Sequence, residues 1–411
     1  MNLRNDAEYI VKKAIKKVLP DEAVYRALRQ KNFGNSRIFV VSIGKAGWQM
    51  AKAAEHVLGE QIEAGVVVTK YGHVMGEIPH MVCYEGGHPV PDENSFIGTQ
   101  AAIDLVSDLK PEDVVLFLIS GGGSALFEKP LVSNEELADL TKQLLACGAD
   151  IVEMNTIRKR LSAVKGGKFA EICGPAQIYS IVLSDILGDP LDMIASGPAC
   201  PDSSTSEAAE QIAQKYQLRM SEQAASCLAR ETPKTLDHVE TIVTGSVRDF
   251  CAAAAEACKE LEYEPVILTD RLDCEARSAG EFLAAIAKTW QNTEKSMAFI
   301  AGGETIVHLK GKGLGGRNQE LALAAAEGIA GLRGTAVFSI GSDGTDGPTD
   351  AAGGYCDGDT KRRLKEQGID LFQVLEENDA YHGLKKAGGL IITGPTGTNV
   401  NDVAVLLIKR G

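Results

Sequence analysis

Arg37-Ile-Phe-Val-Val-Ser-Ile-Gly-Lys-Ala-Gly47 is an apolar run that passes into a glycine-rich turn, and a helical pattern follows it through Ala54. The run is apolar or small at nearly every position, which predicts a strand buried on both faces of a mostly parallel sheet. The same order recurs along the chain, with further apolar runs at residues 113–119, 178–183, 241–244, 297–301 and 335–340. The repetition predicts the α/β class, in which ligands bind beyond the carboxyl ends of the strands.

Length and composition narrow the class of protein. A chain of 411 residues is long enough for two domains. We predict that they comprise residues 1–233 and residues 234–411, divided at the polar stretch Glu231-Thr-Pro-Lys234. The net charge is −14 and aromatic residues make up 5%. Nucleic acid is therefore not an expected partner, because it would require a basic surface or stacking aromatic side chains.

Cysteine usage and hydropathy indicate the compartment. The nine cysteines are scattered and form no Cys-x-x-Cys pattern, which favours a reducing cytoplasm over disulfides or structural zinc. No apolar run reaches the roughly 18 residues that a membrane span needs, so no membrane partner is expected. Residues 10–18 place apolar and lysine side chains on opposite faces of a helix, which predicts a first helix docked on the core, with a helix on a membrane surface as the alternative. The sequence leaves open whether the protein is a monomer or a homodimer.

The turn after the first strand contains Gly44 and Lys45. Backbone N–H groups at the start of a helix attract anions, and Lys45 adds a full positive charge there. The chain lacks the Gly-x4-Gly-Lys-Ser/Thr pattern, so Lys45 is not a P-loop lysine. Two interpretations stay open for it: a contact with a phosphate or carboxylate, or an exposed lysine beside a packing glycine.

A second glycine-rich loop, Ser120, Gly121, Gly122, Gly123 and Ser124, follows the most apolar run of the chain. Three successive glycines cost backbone entropy, and close approach of a ligand is the natural reason for them. The loop could form an anion nest, or it could be a flexible turn. Without a Gly-x-Ser-x-Gly pattern, a serine hydrolase of that type is excluded.

A basic cluster follows, consisting of Arg158, Arg160, Lys165 and Lys168. In an acidic protein it favours a polyanionic ligand such as a nucleoside triphosphate. A solvated basic helix is the alternative.

Two loops concentrate carboxylates after apolar runs. In residues 184–192, Asp185 and Asp189 could bind Mg²⁺ or accept the proton of an acceptor hydroxyl, although an aspartate before proline also forms turns. In residues 341–350, Asp343 and Asp346 form a second candidate metal site. That loop lacks the final glutamate of an EF-hand, so this type of calcium site is rejected.

Residues 311–316 match Gly-x-Gly-x-x-Gly, but no acidic strand end follows at the distance that a dinucleotide fold needs. We interpret them as a mobile turn that delivers Arg317 to a helix N-terminus. There its guanidinium could clamp a carboxylate or a phosphate, or simply bridge the domains. Residues 391–401 read as a strand, a turn and a strand that could line a polar pocket. His73, His88 and His382 lack ligand spacing and receive no catalytic role.

Nine motifs, in order along nearly the whole chain, together resemble the glycerate 2-kinases of the MOFRL type. They are Ser42-Ile-Gly-Lys45, Glu85-Gly-Gly-His-Pro-Val-Pro-Asp92, Ser120-Gly-Gly-Gly-Ser-Ala125, Ser184-Asp-Ile-Leu-Gly-Asp189, Ala195-Ser-Gly-Pro198, Gly302-Gly-Glu-Thr305, Gly315-Gly-Arg-Asn-Gln-Glu-Leu321, Ser342-Asp-Gly-Thr-Asp-Gly347 and Thr393-Gly-Pro-Thr-Gly-Thr-Asn399. The resemblance implies a Rossmann-like αβα N-terminal domain, a smaller α/β C-terminal domain and an active site in the cleft between them. It also implies transfer of the γ-phosphoryl group of ATP to the 2-hydroxyl of D-glycerate, with Mg²⁺ or another divalent cation.

The resemblance makes Lys45 and Arg317 the essential residues. We expect Lys45 to neutralise the transferring phosphate and Arg317 to clamp that phosphate or the glycerate carboxylate. We expect Asp189, or Asp185, to orient the 2-hydroxyl or to hold Mg²⁺. The other expected substrate and phosphate ligands are Gly44, Ser120, Gly121, Gly122, Gly123, Ser124, Ser184, Asp185, Glu304 and Asn399. Two alternative functions stay open: a nicotinamide-dependent hydroxypyruvate reductase and a non-catalytic binding protein for a small acid.

Overall fold

The structure, a computed structural model, describes residues 2–410. The strands are β1 (Ile38–Ile43), β2 (Ile62–Lys70), β3 (Met81–Gly86), β4 (Val114–Ile119), β5 (Gln177–Leu183), β6 (Val239–Gly245), β7 (Glu264–Leu272), β8 (Met297–Gly303), β9 (Thr335–Gly341), β10 (Gly353–Asp357), β11 (Leu390–Ile391) and β12 (Asp402–Ile408). The α-helices are α1 (Leu3–Lys17), α2 (Pro20–Arg29), α3 (Gly47–Leu58), α4 (Glu93–Val106), α5 (Gly123–Leu126), α6 (Asn134–Ala146), α7 (Ile151–Leu161), α8 (Lys168–Cys173), α9 (Ser206–Lys215), α10 (Glu222–Leu228), α11 (Val247–Glu260), α12 (Ala276–Thr289), α13 (Arg317–Gly328), α14 (Thr360–Glu366), α15 (Leu371–Glu376) and α16 (Ala380–Ala387). None of the helices within residues 2–410 is both long and apolar enough to cross a membrane.

The chain divides into two compact units, neither of which is one continuous segment. The N-terminal unit comprises Val24–Leu183 and Asp189–Thr244. The C-terminal unit comprises the described residues up to Ala23, the short segment Ser184–Gly188, and the described chain from Gly245 onward. The sequence-based boundary between residues 233 and 234 lies a short way before the last of these crossings, and it stays a prediction.

The N-terminal unit is built on a six-stranded sheet in the order β3-β2-β1-β4-β5-β6. The pairings of β1 with β2 and β4, of β2 with β3 and of β4 with β5 are all parallel. Every residue of β1 is buried, as expected for a strand covered on both faces. This strand order is that of doubly wound nucleotide-binding folds, in which a crevice opens where the chain leaves neighbouring strands in opposite directions. Here that point lies between the carboxyl ends of β1 and β4.

The C-terminal unit is built on a mixed sheet in the order β11-β10-β9-β12-β8-β7. Strand β12 runs antiparallel to both β8 and β9, and its first residue, Asp402, pairs with Gly303 and Gly341. The expectation of a mostly parallel sheet is therefore wrong for this unit. The reversal has a consequence for the site, because it brings the beginning of β12 to the edge where β8 and β9 end.

Small residues let the helices of the C-terminal unit pack closely. The core of this unit is rich in buried alanines of α12 and α13, among them Ala279, Ala284 and Ala325. A Cβ atom on Gly280 would lie 2.2 Å from the carbonyl oxygen of Leu321. Close packing of these two helices fixes α13, and with it the position of Arg317 at its first turn.

Candidate active site

The loops after β1 and β4 lie side by side at the crevice of the N-terminal unit. Ile43 pairs with Ile119 in the sheet, so Gly44 and Ser120 are neighbours. The Lys45 N–H donates to the Gly121 carbonyl at 2.9 Å, and the Ser120 N–H donates to the Ile43 carbonyl at 3.0 Å. Gly44 has a φ of 101°, and a Cβ atom there would lie 2.3 Å from the Ser120 carbonyl oxygen. Glycine is therefore required at residue 44 for the two loops to meet.

Lys45 is the most informative side chain at this crevice. It is half-buried, yet within the described chain its ammonium has no hydrogen-bond or ion-pair partner. Lys70, at the end of neighbouring β2, is also half-buried and unpaired by residues 2–410. Half-buried cations without counterions are unusual, because burial disfavours a charge that is not compensated. The two lysines therefore make this crevice attractive to an anion.

The three glycines of the second loop permit close packing around Lys45. Gly122 has a φ of 85°, and a Cβ atom there would lie 3.0 Å from Cδ2 of His88 and 3.2 Å from Cγ of Lys45. A Cβ atom on Gly123 would lie 2.7 Å from Cβ of Ala195. Side chains at these glycines would displace Lys45 and its neighbours. The structure therefore brings Gly44 and Lys45 together with the triple glycine, and their contact with a phosphate stays a prediction.

The two serines of this loop bond within the protein. The Ser120 hydroxyl donates to the Ile43 carbonyl at 3.0 Å and accepts from the Ala46 N–H at 3.1 Å. The Ser124 hydroxyl lies 3.1 Å from that of Ser196. Ser120 therefore holds the two loops together, and its predicted contact with substrate stays a prediction.

Two of the three histidines that received no role in the sequence analysis, His73 and His88, lie beside Lys45. His88 flanks Gly122, and Nδ1 of His73 lies 2.8 Å from the Lys45 carbonyl oxygen. Neither histidine has metal-ligand spacing, which is why the pattern analysis missed them. The one available signal was that His88 belongs to the Glu85–Asp92 motif, to which no role had been given.

The loop after β5 is strained around Asp189. Asp189, Ala195 and Ser196 have φ values of 54°, 51° and 61°, a region that non-glycine residues seldom occupy and that concentrates at functional sites. Oδ1 of Asp189 is buried and has no hydrogen-bond partner among the described residues. An unpaired carboxylate oxygen in a strained loop is available to a ligand.

Ser184 and Asp185 belong to the C-terminal unit, whereas Asp189 belongs to the N-terminal unit. The Ser184 hydroxyl donates to the Ile186 carbonyl at 3.1 Å and accepts from the Ile186 N–H at 3.3 Å. It therefore shapes its own turn. The Asp185 carbonyl accepts a hydrogen bond from Nδ2 of Asn401 at 3.1 Å.

The structure contradicts both interpretations of the basic cluster for three of its four members. Arg160 and Lys165 are buried, and Lys165 pairs with Glu128. The Lys168 ammonium donates to the carbonyls of residues 159, 160 and 162, and burial lowers its pKa to about 8. These cations are thus neither solvated nor free for a nucleotide. Only Arg158 is half-buried and without a partner in residues 2–410.

Arg317 begins α13, as the sequence predicted, but its guanidinium is already bound. It donates to both carboxylate oxygens of Asp402, with Nη2 to Oδ1 at 3.1 Å, and Nη1 donates to Glu304 at 2.8 Å. Burial alone would lower the pKa of Arg317, but the hydrogen bonds and charge of Asp402 raise it above the usual value. Three of the five N–H donors are used, so two are left for a ligand.

Asn401 links the predicted residues of this unit, although the sequence analysis did not select it. Its Nδ2 donates to Glu304 at 3.1 Å, and its backbone N–H donates to Oδ1 of Asn399 at 3.3 Å. Its own Oδ1 is buried without a partner in residues 2–410, and its φ is 64°. Arg317, Glu304, Asn399 and the Asp185 carbonyl thus meet around Asn401, two residues beyond the motif that the sequence analysis quoted.

Asp346 does not have the surroundings of a metal ligand. It is buried, and its two carboxylate oxygens accept from the N–H groups of Asn318, at 3.2 Å, and Gln319, at 2.8 Å. It thereby caps α13. Oδ1 of Asp343 accepts from the Thr345 N–H at 3.0 Å. Across residues 2–410, no three acidic, histidine or cysteine side chains are grouped to hold a metal. Asp343 and Asp346 therefore fit a resident cation poorly.

The formal dinucleotide match is not a strand-to-helix turn. Strand β8 ends at Gly303, well before Gly311. A Cβ atom on Gly311 would lie 2.3 Å from the backbone of Glu377, and one on Gly313 would lie 2.4 Å from Cβ of Asp379. These glycines allow one loop to pack on another, which removes the main support for the nicotinamide reductase.

Comparison with known proteins agrees with this geometry. Residues 6–229 match a family described as a domain of unknown function, DUF4147, and residues 297–402 match the MOFRL family. The chain is 53% identical to a D-glycerate 2-kinase of Thermotoga maritima, over 99% of each protein. It is 40% identical to a glycerate 2-kinase of Pyrococcus horikoshii, over 100% of this chain and 99% of the relative.

Among solved structures, the fold matches the crystal structure of a glycerate kinase from Thermotoga maritima. The TM-score is 0.95 and the identity is 52%, over 99% of each chain. Sequence and structure therefore agree over nearly the whole length, and the chain belongs to the glycerate 2-kinase family that joins a DUF4147 domain to a MOFRL domain.

Proposed function

We propose that the protein is a D-glycerate 2-kinase, which transfers the γ-phosphoryl group of ATP to the 2-hydroxyl of D-glycerate and releases 2-phosphoglycerate and ADP. The observation that carries the proposal is the half-buried, unpaired ammonium of Lys45 at the crevice between β1 and β4. Phosphoryl transfer depends on neutralising and aligning a charged group more than on covalent chemistry. A free cation at the position where doubly wound folds bind ligands suits that need.

The two units supply complementary groups. In the N-terminal unit, Lys45 would neutralise charge on the transferring phosphoryl group, and the unpaired Oδ1 of Asp189 would accept a hydrogen bond from a glycerate hydroxyl. In the C-terminal unit, the two remaining N–H donors of Arg317 would bind the glycerate carboxylate or a phosphate. Because each unit holds only some of these groups, we propose that residues of both units take part in the reaction.

The divalent cation would enter as part of the substrate. Mg²⁺ usually keeps several waters and binds through phosphates with one or two carboxylates. Asp346 is engaged by the N–H groups of α13, so we assign it no cation. The proposed substrates are thus MgATP and D-glycerate. The nine cysteines are free, which suits a cytoplasmic enzyme.

A coupled assay tests the proposal. The purified protein is incubated with ATP, Mg²⁺ and D-glycerate, and enolase is added without phosphoglycerate mutase. Formation of phosphoenolpyruvate would establish both phosphoryl transfer and its position, because enolase accepts only the 2-phosphate. Release of ADP without this signal would indicate transfer to another hydroxyl. No ADP release, together with NADH oxidation by hydroxypyruvate, would replace the kinase with the reductase.

A further inference from the structure

The Glu85–Asp92 motif has no role in the function proposed so far, although it borders the Lys45 crevice. Oε1 of Glu85 accepts a hydrogen bond from the Val74 N–H at 2.8 Å. Hydrogen bonds from the N–H groups of the 72–74 segment lower the pKa of Glu85, the one from Val74 most of all. Glu85 is therefore an ionised anchor for the loop after β2. That loop carries His73, whose Nδ1 lies 2.8 Å from the Lys45 carbonyl.

The other end of the motif is equally fixed. Asp92 forms a capping box at the start of α4, and its carboxylate accepts a hydrogen bond from the Tyr71 hydroxyl at 2.7 Å. A Cβ atom on Gly87 would lie 2.5 Å from the Val90 carbonyl oxygen. Between these fixed points the chain presents His88 to the turn at Gly122.

His88 is held in place, but its ring nitrogens are free. The ring lies against Gly122, with Nε2 3.1 Å and Cδ2 3.0 Å from the position of a Cβ atom on that residue, and Cγ of Lys45 lies 3.2 Å from the same point. His88 is half-buried, and no residue within 2–410 hydrogen bonds to it. A structural histidine normally satisfies at least one ring nitrogen. His88 instead stands beside the Lys45 side chain, whose positive charge acts on it, with both ring nitrogens available.

We propose that His88 is a catalytic residue, the general base that accepts the proton of the glycerate 2-hydroxyl, an inference that rests on the proposed kinase function. A base for this reaction must stand close to the cation that neutralises the transferring group, because the attacked phosphorus and the attacking oxygen are neighbours. His88 satisfies this condition through its position beside Lys45. It must also have a free acceptor nitrogen, which only a neutral and unpartnered imidazole provides.

The charges around His88 keep it neutral. Burial, followed by the positive charges of Lys45 and Lys70 and the neighbouring His73, lowers the pKa of His88 below its ordinary value of 6.5. The imidazole therefore accepts a proton at neutral pH and loses this ability as the pH falls through its lowered pKa.

The step balances without any further reagent. The O–H bond of the 2-hydroxyl breaks, and its proton moves to a ring nitrogen of His88. The oxygen forms a bond with the γ-phosphorus while the bond from that phosphorus to the β,γ-bridging oxygen breaks, and ADP leaves with the bridging oxygen. The imidazolium then returns its proton to water.

The test compares pH profiles of kcat and kcat/KM for the wild-type protein and His88→Gln. The wild-type profile should fall on the acid side, below about pH 6.5. His88→Gln should lower kcat by about 100- to 10,000-fold, whereas KM for ATP should change only slightly. The pH profile of this variant should lack the decrease in activity on the acid side that we attribute to His88. Imidazole should partly restore the activity of His88→Ala. His382→Gln, an exposed histidine paired with Asp379, is the matched control and should behave as wild type.

The results that would contradict the catalytic role of His88 differ from those that would contradict the kinase function. An acidic fall that persists in His88→Gln would overturn the assignment while the kinase function stands, and it would direct attention to Asp189. The same conclusion follows if His88→Gln keeps wild-type kcat, or if it melts far below wild type and imidazole does not rescue His88→Ala. If the wild-type protein released no ADP with D-glycerate, the proposed kinase function would be wrong, and so would the catalytic role of His88.

Discussion

Lys45 and Arg317 carry the same charge, but the protein holds them in opposite ways. The Lys45 ammonium has no partner among residues 2–410, whereas Arg317 is bound by Asp402 and Glu304. A free lysine on a flexible stem can follow a moving phosphate, whereas a guanidinium fixed on three sides offers its remaining donors in a preset direction. We therefore expect the two residues to respond differently to substitution.

Lys45→Ala should abolish most of the activity without unfolding the protein. Loss of the cation should lower kcat/KM by about 100-fold or more, since a single charged stabiliser of a transition state contributes on this scale. The melting temperature should change by less than about 2 °C, because Lys45 makes no ion pair that folding depends on. Coupled kinetics and calorimetry would check both expectations.

Lys52→Ala provides the matched control. Lys52 lies on α3, and its ammonium pairs with Glu55 at 2.7 Å on the protein surface. Its removal should leave both kcat/KM and stability nearly unchanged. Equal losses in the two variants would mean that Lys45 has no special role.

Arg317→Lys should also fail, although it conserves the charge. An ammonium cannot bond both oxygens of Asp402 and Glu304 and still present two aligned donors. We expect kcat/KM to fall by about 10- to 100-fold. Because carboxylate oxygens would lose hydrogen-bond partners, the free energy of unfolding should fall by about 1–3 kcal/mol. Arg362→Lys, in an exposed pair with Asp359 and Glu366, should change neither quantity. A fully active Arg317→Lys enzyme would contradict the geometric argument.

At the scale of residues, the sequence shows where the basic side chains occur along the chain, but it does not show which of them lack a hydrogen-bond or ion-pair partner. Lys45 is the second residue after β1, so its position near the strand end was predictable. Arg160 and Lys165 carry equal charge in the sequence, yet tertiary packing buries both. Whether a side chain faces a carboxylate, a carbonyl or solvent depends on contacts with distant residues, such as Glu128 for Lys165, and those contacts are not visible in local patterns.

At the scale of elements, the start of α13 shows how one carboxylate can organise a helix. Its N-cap residue is Gly316, which has no side chain, and Asp346 accepts from the backbone N–H groups of the first turn instead. A Cβ atom on Gly316 would lie 2.3 Å from Cγ of Asp346. The glycine is therefore needed to admit this cap from another loop.

Asp346→Ala should consequently destabilise the protein rather than remove a metal ion. Loss of a helix cap costs about 1–2 kcal/mol, and unpaired buried N–H groups add to this cost. Chemical denaturation should show the loss, and the Mg²⁺ concentration needed for half-maximal activity should stay the same. Asp359→Ala, at an exposed position, is the control. A large increase in the Mg²⁺ requirement would restore the metal interpretation of Asp346.

The elements themselves were predictable to different degrees. Runs such as residues 38–43 and 114–119 are apolar at every position except Ser42, and they form the parallel sheet that the pattern indicates. The residues of β12 are equally buried, but nothing in an apolar run states its direction. Strand β12 lies between β8 and β9 and runs antiparallel to both. Its direction depends on the segment that leads into it and not on the residues of the strand.

At the scale of the whole molecule, the first helix is a component of the C-terminal unit. Helix α1 packs on α11 and β9. Its Asp6 accepts hydrogen bonds from the Tyr263 hydroxyl and the Lys409 ammonium, both at 2.7 Å. The sequence showed α1 as an amphipathic pattern, but it could not reveal that the partners of this helix lie more than two hundred residues later.

A fragment of residues 245–411 should therefore be incomplete. Without α1, the apolar surface on α11 and the hydroxyl of Tyr263 would lose their partners, and the fragment should unfold well below the intact chain or aggregate. A synthetic peptide of residues 1–23 should raise its melting temperature in circular dichroism. The same peptide with Asp6→Ala should be less effective. Equal melting of the bare fragment and the intact protein would contradict this account.

The number of residues between α1 and its partners also determines how long the helix waits for them during synthesis. A ribosome adds about 5–20 residues per second, so roughly 12–50 seconds separate the emergence of α1 from that of α11, its main partner. During that interval the apolar face of α1, which includes Ile10 and Val11, has no permanent partner, while the N-terminal unit can already fold once residue 244 has emerged. The nascent chain thus carries a helix with an uncovered apolar face until α11 has emerged, and we expect chaperones to bind its N-terminal segment during that time.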